Sequence, residues 1–116
     1  MSAITTHVLD TALGRPATGV PVRLERLVVE TDGTPRSDLL AVGTTNSDGR
    51  VPELGPDRVE AGTYQLVFDT ETYFAATGQI GFFPRVRITF LVADPGQHHH
   101  VPVLLSPFAY STYRGS

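Results

Sequence analysis

The chain contains no cysteine among its 116 residues. That absence removes thiol redox catalysis and a disulfide scaffold together. No apolar run approaches the ~20 residues needed to cross a bilayer. The opening MSAITTHVLD carries neither the basic nor the apolar region of a secretory leader, and the closing RGS is not a peroxisomal S-K-L address. A cytoplasmic location is the expectation. Positive charge is not in excess: the net charge is -3, which disfavours nucleic acid and membrane surfaces as partners. There is no Ser-His-Asp order, paired-carboxylate motif or phosphate loop, and GQIGFF (Gly78 to Phe83) is too short and wrongly placed for a dinucleotide fingerprint.

What is present reads as one domain spanning residues 1–116, long enough to bury roughly two-thirds of its unfolded surface. Val, Ile, Thr, Tyr and Phe recur in short runs broken by Gly, Pro, Asn and Asp, the usage of strands and turns. Strands are expected at Ile4 to Asp10, Val20 to Glu30, Leu39 to Thr45, Gly62 to Asp69, Arg85 to Ala93 and His98 to Ser106, with a last short one in AYSTY. ALGRPATG reads as a loop, TDGTPRSD as a turn and NSDG as a tight turn. In the second strand Val22, Leu24 and Leu27 are the inward candidates, while Arg23 and Glu25 should face water. Tyr64, Leu66 and Phe68 share one face of their strand, as do Val86, Ile88, Phe90 and Val92 of theirs. DTETYFAATG breaks the two-residue period. Asp69 or Thr70 can cap a short helix that Gly78 ends. Seven or eight short strands and one short helix make an all-β, two-sheet antiparallel sandwich.

Four histidines, His7, His98, His99 and His100, fall on strands. Alternation puts His98 and His100 on one face and His99 on the other. A lone histidine is more often a satisfied polar residue than a ligand. Three in a row raise a zinc site built from His7, His98 and His100 as an alternative, although no carboxylate lies in QHHHV. Arg50 follows an Asp-Gly turn and, like Arg114, reads alone as a solvated cation. Imidazoles, guanidiniums, hydroxyls and a terminal carboxylate suit binding a small, carbonyl-rich anion. They could also drive water onto its carbonyl, with neutral His as base and Arg at the oxyanion.

HVLD near the start, DGR in the middle and HHHVPVLLSPFAYSTYRGS at the end together resemble the transthyretin-like 5-hydroxyisourate hydrolases, over essentially the whole chain. The terminal YRGS separates those hydrolases from transthyretin, a hormone carrier of the same fold. The resemblance implies a transthyretin-like sandwich of about eight strands and a cofactor-free, metal-free enzyme acting on 5-hydroxyisourate in urate degradation. It implies a homotetramer, a dimer of dimers with active sites between dimers. It assigns catalysis to His7, Arg50 and His100, and substrate contact to His7, Arg50, His98, Tyr113, Arg114 and Ser116. A carrier without turnover is the alternative. His99 stands where the family has an aromatic between two histidines, and Ala109 where Gly is common. Neither touches the matched positions, and His99 is expected to face away from His100.

Overall fold

The computed structural model describes residues 2–116. Eight strands and one helix follow in the order β1 (Ile4–Asp10), β2 (Arg15–Pro16), β3 (Pro21–Val29), β4 (Pro35–Thr44), β5 (Gly62–Phe68), α1 (Thr70–Ala76), β6 (Val86–Val92), β7 (His99–Ser106) and β8 (Ala109–Thr112). They form two four-stranded sheets, β2-β1-β7-β8 and β4-β3-β5-β6.

Two-residue alternation sorts each strand. In β1, Ile4, Thr6, Val8 and Asp10 are buried while Thr5, His7 and Leu9 are half-buried on the outer face. In β7, His99, Val101, Val103 and Leu105 point into the core. Val101, Val103 and Leu105 meet Val22, Leu24, Tyr64, Leu66, Phe68, Val86, Ile88 and Val92 of the other sheet. Fully burying one such apolar side chain is worth about 1.5–3 kcal/mol, so this layer holds the sheets together. Among the described residues no helix is long and apolar enough to cross a membrane.

The helix forms where the strand period fails. The Asp69 carboxylate accepts from the Thr72 N–H at 3.1 Å, and Glu71 adds negative charge to the first turn. Thr70, Tyr73 and Phe74 bury its inner face. Gly78 leaves the helix with φ +69°, a conformation that glycine adopts without steric cost.

The sandwich matches the expected class, with differences in detail. β1 and β7 run parallel, whereas every other strand pair is antiparallel. The two-residue β2 lies inside the segment read as a loop. β4 begins at Pro35, within the segment read as a turn, because only residues 31–34 are needed to reverse the chain. Glu25, expected in water, is 6% exposed. The register between β3 and β4 shifts between Leu24 and Glu25. The Glu25 carboxylate is satisfied by the Arg23 guanidinium at 3.0 and 3.2 Å and by the Gln65 amide at 2.7 Å, which is what makes its burial affordable. Leu27 is only half-buried.

One buried carboxylate ties the outer sheet's first strand to the helix. Asp10 ends β1 and accepts hydrogen bonds from the Ala12 and Leu13 N–H groups at 2.9 and 2.8 Å, the Tyr73 hydroxyl at 2.6 Å and the Gln79 amide at 3.1 Å. Burial alone would push the Asp10 carboxyl up. The four donors outweigh it and hold the group below its usual range. Burial, and then Asp10, push the Tyr73 phenol up in turn.

Candidate functional site

The parallel pairing of β1 with β7 sets Thr5 opposite His100 and His7 opposite Pro102. Thr5, His7 and His100 therefore share the outer face of the first sheet. The Thr5 hydroxyl lies 2.8 Å from His100 Nδ1 and 2.9 Å from His98 Nε2. The His98 and His100 rings stand 6.4 Å apart, centroid to centroid. His98 immediately precedes β7 and is exposed.

Arg50 reaches this face through a turn built by Asn46. The Asn46 side-chain oxygen accepts from the Asp48 and Arg50 N–H groups at 2.9 and 3.1 Å, and its backbone oxygen accepts from Gly49 N–H at 2.9 Å. The turn then pairs with β1: Val8 N–H donates to the Gly49 carbonyl at 2.8 Å, and His7 faces Arg50 in an antiparallel bridge. Gly49 has φ +77°. A Cβ there would run into the Val8 carbonyl oxygen and lie 3.3 Å from His7 Cδ2. Only glycine lets the turn come so close to the His7 ring.

The C-terminal segment closes the other side. Gly115 pairs with His100, its N–H donating to the His100 carbonyl at 2.9 Å. The Arg114 guanidinium donates to the Gln97 side-chain oxygen at 2.9 Å. A Cβ on Gly115 would sit 2.5 Å from His100 Cδ2. The chain end is thus fastened against an imidazole by one backbone bond and one side-chain bond.

Burial lowers the His100 pKa first, and the charges of Arg50, His98 and His7 lower it further, with only a backbone contact to Thr5 acting the other way. A histidine kept neutral beside a guanidinium can accept a proton while the guanidinium receives a developing oxyanion. Among the described residues no three His, Asp or Glu side chains gather closely enough to hold a metal ion.

The structure brings His7, Arg50, His98 and His100 to one face and lays Gly115 across it, with Arg114 tied to Gln97 beside His98. Tyr113 is less central. Its exposed ring lines a cavity of about 240 Å³ with Phe90, Leu91, His99, His100 and Arg114. Among the described residues it makes no hydrogen bond to His7 or Arg50. Ser116 is exposed. His99 faces the core as expected; it is 4% exposed, and its Nδ1–H donates to the Gln97 carbonyl at 3.0 Å. Thr5 was expected on the strand face of His7 but without a site role, and no role was expected of Gln97, Gly49 or Gly115. The available signal for Thr5 was its place two residues before His7, on the same strand face.

The model of the HIUase/Transthyretin family matches residues 4–115. The chain is 48% identical to 5-hydroxyisourate hydrolase of Mus musculus over 118 residues, covering 99% of this chain and 96% of that protein. Among solved structures, 5-hydroxyisourate hydrolase of Klebsiella pneumoniae superimposes with a TM-score of 0.81 at 38% identity, covering 97% of this chain and 98% of that one. Sea bream transthyretin in complex with thyroxine superimposes with a TM-score of 0.86 at 27% identity, covering 97% and 94%.

Proposed function

Because this chain belongs to the HIUase/transthyretin family, we propose that it hydrolyses 5-hydroxyisourate, opening the six-membered ring at an amide carbonyl to give 2-oxo-4-hydroxy-4-carboxy-5-ureidoimidazoline in urate degradation. The observation that carries the reading is the convergence of His7, Arg50 and His100 on one sheet face with the chain end paired to His100. In this scheme His7 or His100 takes a proton from water as the water attacks the carbonyl. Arg50 holds the carbonyl oxygen as charge builds. His98, Tyr113, Arg114 and Ser116 contribute substrate contacts and orient the ring. General-base help is typically worth ~10²–10⁴-fold and an oxyanion donor ~10²–10³-fold, and neither needs metal or cofactor.

The face is an open sheet surface, so a second copy laid over it would supply the walls of a cleft. Exposed apolar side chains, Leu13 in the β1–β2 loop and Phe108 in the β7–β8 turn, lie in connections between strands of the same sheet and suit burial against that copy. A homotetramer built as a dimer of dimers fits this need, and its mass in solution is the check. A cytoplasmic location belongs to the same reading, and cell fractionation tests it.

Generating 5-hydroxyisourate in place with urate oxidase and following its ultraviolet decay tests the activity. Decay faster than the spontaneous rate, in proportion to protein, is expected. An unchanged rate overturns the hydrolase reading. The close superposition on a thyroxine-bound transthyretin favours a carrier as the second reading, which predicts saturable binding with no turnover.

A further inference from the structure

Resting on the hydrolase reading above, we propose that Thr5 is a positioning residue that joins His98 and His100 into one proton-carrying unit and leaves Nε2 of His100 as the nitrogen that faces the chemistry. Thr5 Oγ1 sits within hydrogen-bond distance of two imidazole nitrogens, Nδ1 of His100 and Nε2 of His98. A hydroxyl carries one proton and two lone pairs, and a neutral imidazole has one donor and one acceptor nitrogen. The three groups can form a chain in either of two directions, and the one assigned has His100 Nδ1–H donating to Oγ1 and the hydroxyl proton donated to His98 Nε2. In that arrangement the second nitrogen of His100, Nε2, is a free base.

The backbone brings the three groups together. Thr5 and His100 are register partners in the parallel β1–β7 pair, and His98 lies two residues earlier. Thr5 is β-branched, so its χ1 is restricted and Oγ1 is held in place. The remaining edge of the His100 ring is covered at Cδ2 by Gly115, beside the chain end.

The proton balance closes without any added reactant. When His100 Nε2 takes a proton from the attacking water, the ring becomes an imidazolium. Its Nδ1 proton passes to Thr5 Oγ1, and the hydroxyl proton passes to His98 Nε2. His100 is neutral again and His98 holds the charge. His98 is exposed and His100 is half-buried, so the charge moves from a site where burial, Arg50 and His7 disfavour it to one that water stabilises. When the ring amide bond breaks, its nitrogen takes the proton from His100 Nε2. The Oγ1 proton returns to Nδ1 and the His98 Nε2 proton returns to Oγ1, so the proton taken from water ends on the leaving nitrogen and all three side chains are restored.

The test uses the full-length protein with Thr5→Val and Thr5→Ser. Valine keeps the branched shape and removes the hydroxyl; serine restores the hydroxyl. Thr5→Val is expected to lower kcat by about tenfold or more with KM little changed, and Thr5→Ser to recover most of it. Nitrogen-15 NMR of the imidazoles, recorded without substrate, is expected to show a single His100 tautomer protonated at Nδ1 in the parent and in Thr5→Ser, and a mixture in Thr5→Val. A folded Thr5→Val with the parent's tautomer and kcat overturns the proposal, as does Thr5→Ser behaving like Thr5→Val. The NMR result judges the bridge even if the protein shows no turnover of 5-hydroxyisourate, so the two readings fail separately.

Discussion

Gly115 leaves room for the imidazole of His100, and its N–H donates to the His100 carbonyl over 2.9 Å. Any side chain at 115 would have to displace the ring or release the chain end, since a Cβ would lie 2.5 Å from Cδ2. Gly115→Ala is therefore expected to fold with the parent's stability and to lose activity on the order of 10²-fold, the usual consequence of misplacing a reacting group by about 1 Å. Steady-state kinetics beside a thermal melt check this. Parent-like kinetics would show that the contact is passive.

Removal of each chemical group should give graded losses. His7→Ala and His100→Ala are expected to lower kcat/KM by ~10²–10⁴-fold for whichever imidazole is the base, and Arg50→Ala by ~10²–10³-fold. His99→Ala provides the contrast. It leaves the outer face untouched and empties a buried position, so kcat/KM should hold while stability falls by about 2 kcal/mol. Urea unfolding and the decay assay together separate the two outcomes.

The environment of His100 predicts a pH dependence. Burial and the neighbouring Arg50, His98 and His7 lower its pKa, so the base form persists below the usual histidine value of ~6.5. With His100 as the base, kcat/KM should be flat at neutral pH and fall only as pH drops through the lowered value. The matching stability contribution runs the same way: it is complete above ~6.5, where the unfolded ring is neutral, and is lost as pH falls toward the folded value. Removing the Arg50 charge should move the His100 titration upward. NMR titration of the ring in Arg50→Ala measures that shift without substrate.

Asp10 anchors the strand that carries His7. Its carboxyl is held below the usual range by donors from Tyr73, Leu13, Gln79 and Ala12 against the pull of burial. That stability is present above the unfolded value of ~3.9 and is lost as pH falls through the folded one. Asp10→Ala should cost about 3 kcal/mol and Tyr73→Phe about 1.5 kcal/mol, because each strips hydrogen bonds from a buried charged group. Asp10→Asn should flatten the acid limb of the stability curve. Urea unfolding at pH 3 to 7 records both effects.

Local pattern carried most of the fold. Ile4 to Asp10 alternates over its whole length, and the Asp69 cap and Gly78 stop mark the helix in plain sequence. What eluded it is non-local. Nothing near His7 or His100 says that β1 will lie parallel to a strand more than ninety positions away, yet that pairing places Thr5 between two imidazoles. Glu25 misled because alternation predicts which face a side chain takes, not whether Arg23 and Gln65 will cover it. The matched residues His7, Arg50 and His100 came from the resemblance to a family. The reasons that Gly49 and Gly115 must be glycine appear only once each is seen against a histidine ring.

In the proposed reading the outer-face imidazoles, Arg50 and the chain end form one catalytic site. Its most direct test is the rate of 5-hydroxyisourate decay for the parent and for a variant lacking Tyr113 to Ser116, both shown to be folded and of equal mass per assembly. Rapid decay is expected with the parent, and a rate close to the spontaneous one with the shortened chain. Full activity in the shortened chain would contradict it.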